Sequence, residues 1–92
     1  MVYKTRYLPR IKKVLVHLCL NGHLNWYDPQ KRKSIHLALT QPTLLIDVLD
    51  QLHVPIAEIV VGVVNGKTVV SLNDLIVTDT DKVELYPPVD GG

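Results

Sequence analysis

The sequence predicts an α+β domain in which one main helix packs on one face of a mixed four- to five-stranded sheet. Three observations carry the prediction. Val14, Val16, Leu18 and Leu20 alternate with Leu15, His17 and Cys19, the period of two expected of a strand with two different faces. Leu44, Leu45, Val48, Leu49 and Leu52 recur at helical spacing, with Asp47 and Asp50 on the opposite side. Ile59 to Val64 and Lys82 to Tyr86 are strand-length runs rich in apolar residues. A lone helix covers just one face of a sheet, which is an α+β arrangement.

In chain order, residues 1–11 show no clean period and contain Pro9, so they read as an N-terminal extension. A folded domain is expected over 12–86, followed by an extended tail over 87–92. After the first strand, Asn21-Gly22 marks a turn, because Asn-Gly supplies the positive φ values that a reversal needs. A loop with Trp26, Asp28 and Pro29 leads to a second strand, Ser34 to Leu39, with Ile35, Leu37 and Leu39 inward. Thr40-Gln41-Pro42 is expected to open the helix, a polar cap followed by a proline whose missing N–H is harmless there. The helix stops before Pro55. Ile59 to Val64 is a buried strand, Asn65-Gly66 turns it into Lys67 to Val70, and Lys82 to Tyr86 closes the domain with Val83 and Leu85 inward. First and last strands should pair in parallel at the centre of the sheet.

Composition bounds the function. Ninety-two residues fill one core, and a net charge of +1 argues against nucleic acid as a principal partner. Basic residues cluster at Lys4, Arg6, Arg10, Lys12 and Lys13 and again at Lys31-Arg32-Lys33, which reads as solvated chain ends and loops. One cysteine, Cys19, excludes an internal disulfide and fits a reducing compartment. No apolar run approaches the roughly 20 residues of a membrane span, and the N-terminus lacks a small-residue cleavage site. A cytoplasmic location, with no membrane partner, is expected.

The sequence closes on Leu85-Tyr86-Pro87-Pro88-Val89-Asp90-Gly91-Gly92. Pro87 and Pro88 fix φ and cannot donate to a ladder, so they end the last strand and stiffen the segment beyond it. Gly91 and Gly92 have no Cβ and can thread a narrow channel. Pro87, Pro88 and Val89 are read as positioning the tail, Gly91 as giving access, and the Gly92 carboxylate as the working group. A carboxylate reacts with nucleophiles only after its oxygen becomes a leaving group. The five glycines form neither GxxxxGK[ST] nor GxGxxG, so a partner enzyme must activate it and no residue of this chain is expected to be catalytic.

His17 and Cys19 share a strand face, and His36 sits on the neighbouring strand. Three such ligands are a zinc motif when they converge, but side chains on a half-exposed sheet face share that spacing without a metal, and no metal is expected. Cys19 has no local positive environment to make it a nucleophile. The sheet face left open by the helix carries Leu15, His17, Cys19, His36, Ala38 and one set of the Val60 to Val64 residues, and it reads as a partner interface. Residues 1–10, or the loop with Trp26 and Tyr27, are the alternatives for covering it.

The order of hairpin, helix, strand pair and final strand is identified as the β-grasp, or ubiquitin-like, layout. Val60-Val61-Gly62-Val63-Val64-Asn65-Gly66-Lys67, Thr80-Asp81-Lys82-Val83-Glu84-Leu85 and the Tyr86 to Gly92 ending resemble the small sulfur carriers, the family of the molybdopterin synthase small subunit and the thiamine-pathway carrier. The resemblance covers about residues 12–92. Leu52-His53-Val54-Pro55 is nearer the thiamine type, and the aromatic-Pro-Pro-Val-x-Gly-Gly ending nearer the molybdopterin type. It implies that an adenylating enzyme uses ATP on the Gly92 carboxylate, that a persulfide sulfur from a donor protein displaces AMP, and that the thiocarboxylate serves an acceptor enzyme such as a synthase large subunit. No bound cofactor is implied. Thiazole synthesis, tRNA thiolation and conjugation to proteins through Gly92 are alternative uses of the same activated tail. The N-terminal extension, Asn21-Gly22-His23-Leu24 and Asp90 depart from the family pattern.

Overall fold

The computed structural model describes residues 13–88; the extension over 1–11 and the tail positions Val89, Asp90, Gly91 and Gly92 lie outside the described residues. Strands β1 (Val14–Leu20), β2 (Ser34–Leu39), β4 (Val61–Val64), β5 (Lys67–Val69) and β7 (Lys82–Tyr86) form a five-stranded sheet in the order β2-β1-β7-β4-β5. The β1 and β7 strands pair in parallel, from His17↔Lys82 to Leu20↔Leu85, and the other neighbours are antiparallel. Helix α1 (Leu45–Gln51) lies on one face. The domain is a small α+β fold of β-grasp-like form.

The alternation in β1 sorts as its sequence requires. Val14, Val16, Leu18 and Leu20 are buried with Ile35, Val83 and Leu85, and they meet Leu45, Val48 and Leu49 of the helix. Leu24, Val54 and Val77 complete this core. Burying such side chains stabilises the fold by about 1.5–3 kcal/mol each before chain entropy is counted.

Two boundaries differ from the sequence expectation. Thr40-Gln41-Pro42 does not open the helix; Thr43–Leu44 forms a short strand, β3, paired with β6 (Ile76–Val77). Leu45 N–H donates to Leu75 O at 2.8 Å, which fixes the chain as extended up to the first helical residue. Leu44, expected in the buried stripe, is consequently exposed. The second difference is at β4, which starts at Val61 because Ile56–Glu58 forms a 3₁₀ turn and leaves Val60 exposed.

At the helix C-terminus, His53 takes φ 63°. The His53 and Val54 N–H groups donate back to Asp50 O and Leu49 O at 3.2 and 2.9 Å, a Schellman pattern that satisfies two terminal carbonyls. Asn65 and Gly66 have φ 53° and 84°, the positive pair expected of their hairpin turn. Among the described residues, no helix is long and apolar enough to cross a membrane.

Candidate functional site: the tail exit and the open sheet face

The strand that leads to the tail is the middle strand of the sheet, anchored by the fully buried Val83 and Leu85. Its last residues are gripped from both sides. Asn21 donates twice to Leu85 O, from its N–H at 3.0 Å and from Nδ2 at 3.1 Å. On the other side, Val60 N–H donates to Tyr86 O at 2.9 Å. Pro87 then sits against Gly22, where a Cβ would come within 2.5 Å of Pro87 Cγ. Gly22 also has φ 61°, so both backbone conformation and close approach demand glycine there. The chain is thus released from the sheet at a fixed point, with Pro87 half-buried and Pro88 exposed. Sequence reasoning assigned Pro87, Pro88 and Val89 to positioning the tail; it missed Gly22 as the seat of Pro87.

The loop that begins with this seat is itself pinned. Asp28 is fully buried and accepts from Arg32 N–H, Nε and Nη2 at 2.8, 2.9 and 3.0 Å. The Arg32 side-chain bonds, then its backbone bond, hold the Asp28 carboxyl from its ordinary 3.8 down to about 2, against the opposing effect of burial. Arg32 is therefore a structural ion-pair partner and not merely a solvated member of the Lys31-Arg32-Lys33 cluster. Asn25 Nδ2 donates to Lys31 O at 3.0 Å, and Tyr27 OH to Glu58 Oε1 at 2.9 Å. The spacing of Asp28 and Arg32 was visible in the sequence, whereas the burial of Asp28 was not.

The open face brings Leu15, His17, Cys19, His36 and Ala38, which the sequence marks as a candidate interface, into one patch. Leu15 is 56% exposed and lies beside Ala38 in the register, as His17 lies beside His36 and Cys19 beside Ser34. The His17 and His36 rings stack at 4.3 Å with planes 15° apart. His17 Nε2 also shares a hydrogen bond with Ser34 Oγ and lies 3.7 Å from Cys19 Sγ. Stacked rings point their nitrogens alongside one another rather than at one point, and among the described residues no group of three His, Cys, Asp or Glu could hold a metal ion. Pairing Cys19↔Glu84, Val63↔Glu84 and Val61↔Tyr86 extends the same face across the sheet. Burial, the Glu84 charge and its hydrogen bond to Tyr86 OH raise the Tyr86 pKa. Of the two covers considered for this face, Tyr27 packs against the core instead and Trp26 is 69% exposed; the other, residues 1–10, lies outside the described residues.

No family model matches this chain, and no curated protein does. Among solved structures, the solution structure of the Haloferax volcanii HVO 2177 protein is similar, with a TM-score of 0.62 and 18% sequence identity over 94% of this chain and 95% of that one. At that identity the likeness is one of fold, and it supports a small β-grasp-like domain.

Proposed function

We propose that this protein is a sulfur carrier: a partner enzyme adenylates the Gly92 carboxylate, sulfur replaces one carboxylate oxygen, and the thiocarboxylate is passed to an acceptor. The observation that carries the reading is the seat of Pro87 on Gly22. It releases the central strand at a fixed point of a β-grasp-like domain, ahead of a sequence that continues through Val89-Asp90-Gly91-Gly92. Nucleophilic attack of a carboxylate oxygen on the α-phosphorus of ATP expels pyrophosphate and makes the acyl carbon electrophilic. The terminal sulfur of a persulfide then displaces AMP, forming a C–S bond; a second thiol attacks the donor sulfur of the persulfide's own S–S bond, which leaves the thiocarboxylate and a disulfide between the two thiols. The chain is the substrate in each step; ATP and the persulfide are held by its partners.

Molybdopterin-type cofactor synthesis is the favoured acceptor pathway, on the strength of the Tyr86-Pro87-Pro88-Val89 ending. Docking uses the open face around Leu15. With an adenylating enzyme from the same host, the full chain should support exchange of labelled pyrophosphate into ATP. Deleting Gly92 should abolish exchange, and Leu15→Asp should weaken it while leaving the domain folded. Exchange that survives the Gly92 deletion refutes the reading.

A further inference from the structure

The last two residues of β7 are held by two stretches of chain that lie far apart in sequence. Asn21, from the loop after β1, binds Leu85 O, and Val60, from the segment ahead of β4, binds Tyr86 O. The first of these jaws is braced from within. Leu24 N–H donates to Asn21 O at 3.2 Å and opens the 3₁₀ helix Leu24–Tyr27, and the next residue is the buried Asp28 paired with Arg32. The second jaw has less support of its own. Its 3₁₀ turn, Ile56–Glu58, contains no buried residue, and Ile56 and Ile59 reach the core only in part. Among the described residues, one side chain between Pro55 and Val60 makes a hydrogen bond, that of Glu58.

That bond crosses between the jaws. Tyr27 OH donates to Glu58 Oε1 at 2.9 Å, linking the neighbour of Asp28 to a residue two positions before Val60. The hydrogen bond to Glu58, then burial and the Glu58 charge, raise the Tyr27 pKa, so the phenol remains a donor through the neutral range. His23 Nε2 also lies 3.9 Å from Glu58 Oε1, but both side chains are 42–43% exposed, and a pair of that kind contributes little. The bond from a half-buried phenol to a carboxylate is the stronger link.

We propose that Tyr27 and Glu58 are positioning residues for the tail. Their bond fastens the jaw that carries Val60 to the braced jaw that carries Asn21, and so sets the point and direction at which Pro87 leaves the sheet. Misplacing a reacting group by about 1 Å can cost as much as a hundredfold in rate, so a carboxylate delivered into a partner's site depends on the spacing of the jaws that launch it. As a statement about activation, this role rests on the carrier reading; the coupling of the two jaws does not.

The test has two arms, both on the full-length protein. In the first, amide hydrogen–deuterium exchange reads the grip on β7. Tyr27→Phe keeps the ring and removes the donor, so the Val60 amide should exchange about three- to tenfold faster, while the Leu20 amide, which donates to Lys33 O, is unchanged. Glu58→Ala should do the same, and the double variant should add nothing further. Glu58→Gln keeps an oxygen for Tyr27 and should recover most of the protection. In the second arm, ATP–pyrophosphate exchange with an adenylating enzyme from the same host, Tyr27→Phe and Glu58→Ala should lower kcat about two- to tenfold, with KM for the carrier within about twofold, and Glu58→Gln should restore the rate. Unchanged protection of the Val60 amide in both variants overturns the proposal. So does a wild-type kcat in variants whose Val60 amide has loosened, or a loss confined to KM, which would make Glu58 a docking contact. An unaltered chain that supports no pyrophosphate exchange overturns the carrier reading and the positioning role with it, whereas a loosened Val60 amide would still establish the coupling.

Discussion

Gly22 is the residue on which the tail exit turns. An alanine there must adopt φ near 61° and push against Pro87, so Gly22→Ala should destabilise the domain by about 1–3 kcal/mol in urea denaturation. Adding Pro87→Ala removes the ring atoms that the new methyl meets, and should recover about 0.5 kcal/mol or more as a coupling energy. Simple additivity would mean that the contact is not a constraint. Asp28 makes a different prediction. Its folded pKa, near 2, lies below its ordinary 3.8, so the stabilisation is fully present above about pH 4 and is lost as pH falls through the folded value. Asp28→Asn should therefore be less stable than wild type at pH 7, with the gap closing between about pH 4 and 2; a pH-independent gap would exclude the ion pair as its cause. The Asn-Gly signal showed a turn at Asn21-Gly22, but the need for glycine came from Pro87, which is remote in sequence and meets it only through the parallel pairing of β1 with β7.

Among the strands and the helix, periodic signals were legible wherever local sequence decides the outcome. Ser34–Leu39 and Lys82–Tyr86 match the expected strands, and the two faces of β1 separate as the alternation requires. The helix start was not legible, because Thr43–Leu44 is drawn into a pairing with Ile76–Val77 that no local pattern reveals. The later start has a measurable consequence. Leu45 is fully buried and Leu44 is 36% exposed, so Leu45→Ala should cost about 2–5 kcal/mol and Leu44→Ala less than about 1 kcal/mol. Equal costs would restore the helix start that the sequence implied. The loop between β1 and β2 shows a related limit: Asp28 read as a loop residue and Arg32 as part of a solvated basic cluster, and only the fold puts the carboxylate out of reach of water.

Across the molecule, the sheet unites two surfaces that the sequence presented separately. Its middle strand delivers the chain to Pro87 and Pro88, while its outward face gathers Leu15, His17, Cys19, His36 and Ala38 into one patch beside Glu84 and Tyr86. A partner that docks on this face lies against the same sheet that launches the tail, which is the arrangement a carrier requires of an enzyme that must reach its last carboxylate. Activation of Gly92 is the step on which the carrier role depends, and its sharpest test is intact-mass spectrometry of the protein after incubation with ATP, a persulfide source and an adenylating enzyme from its own host. A sulfur carrier should gain the mass of one oxygen replaced by sulfur, and the gain should be absent when Gly92 is deleted; an unchanged mass, or larger adducts mapping to lysines of target proteins, would rule that role out.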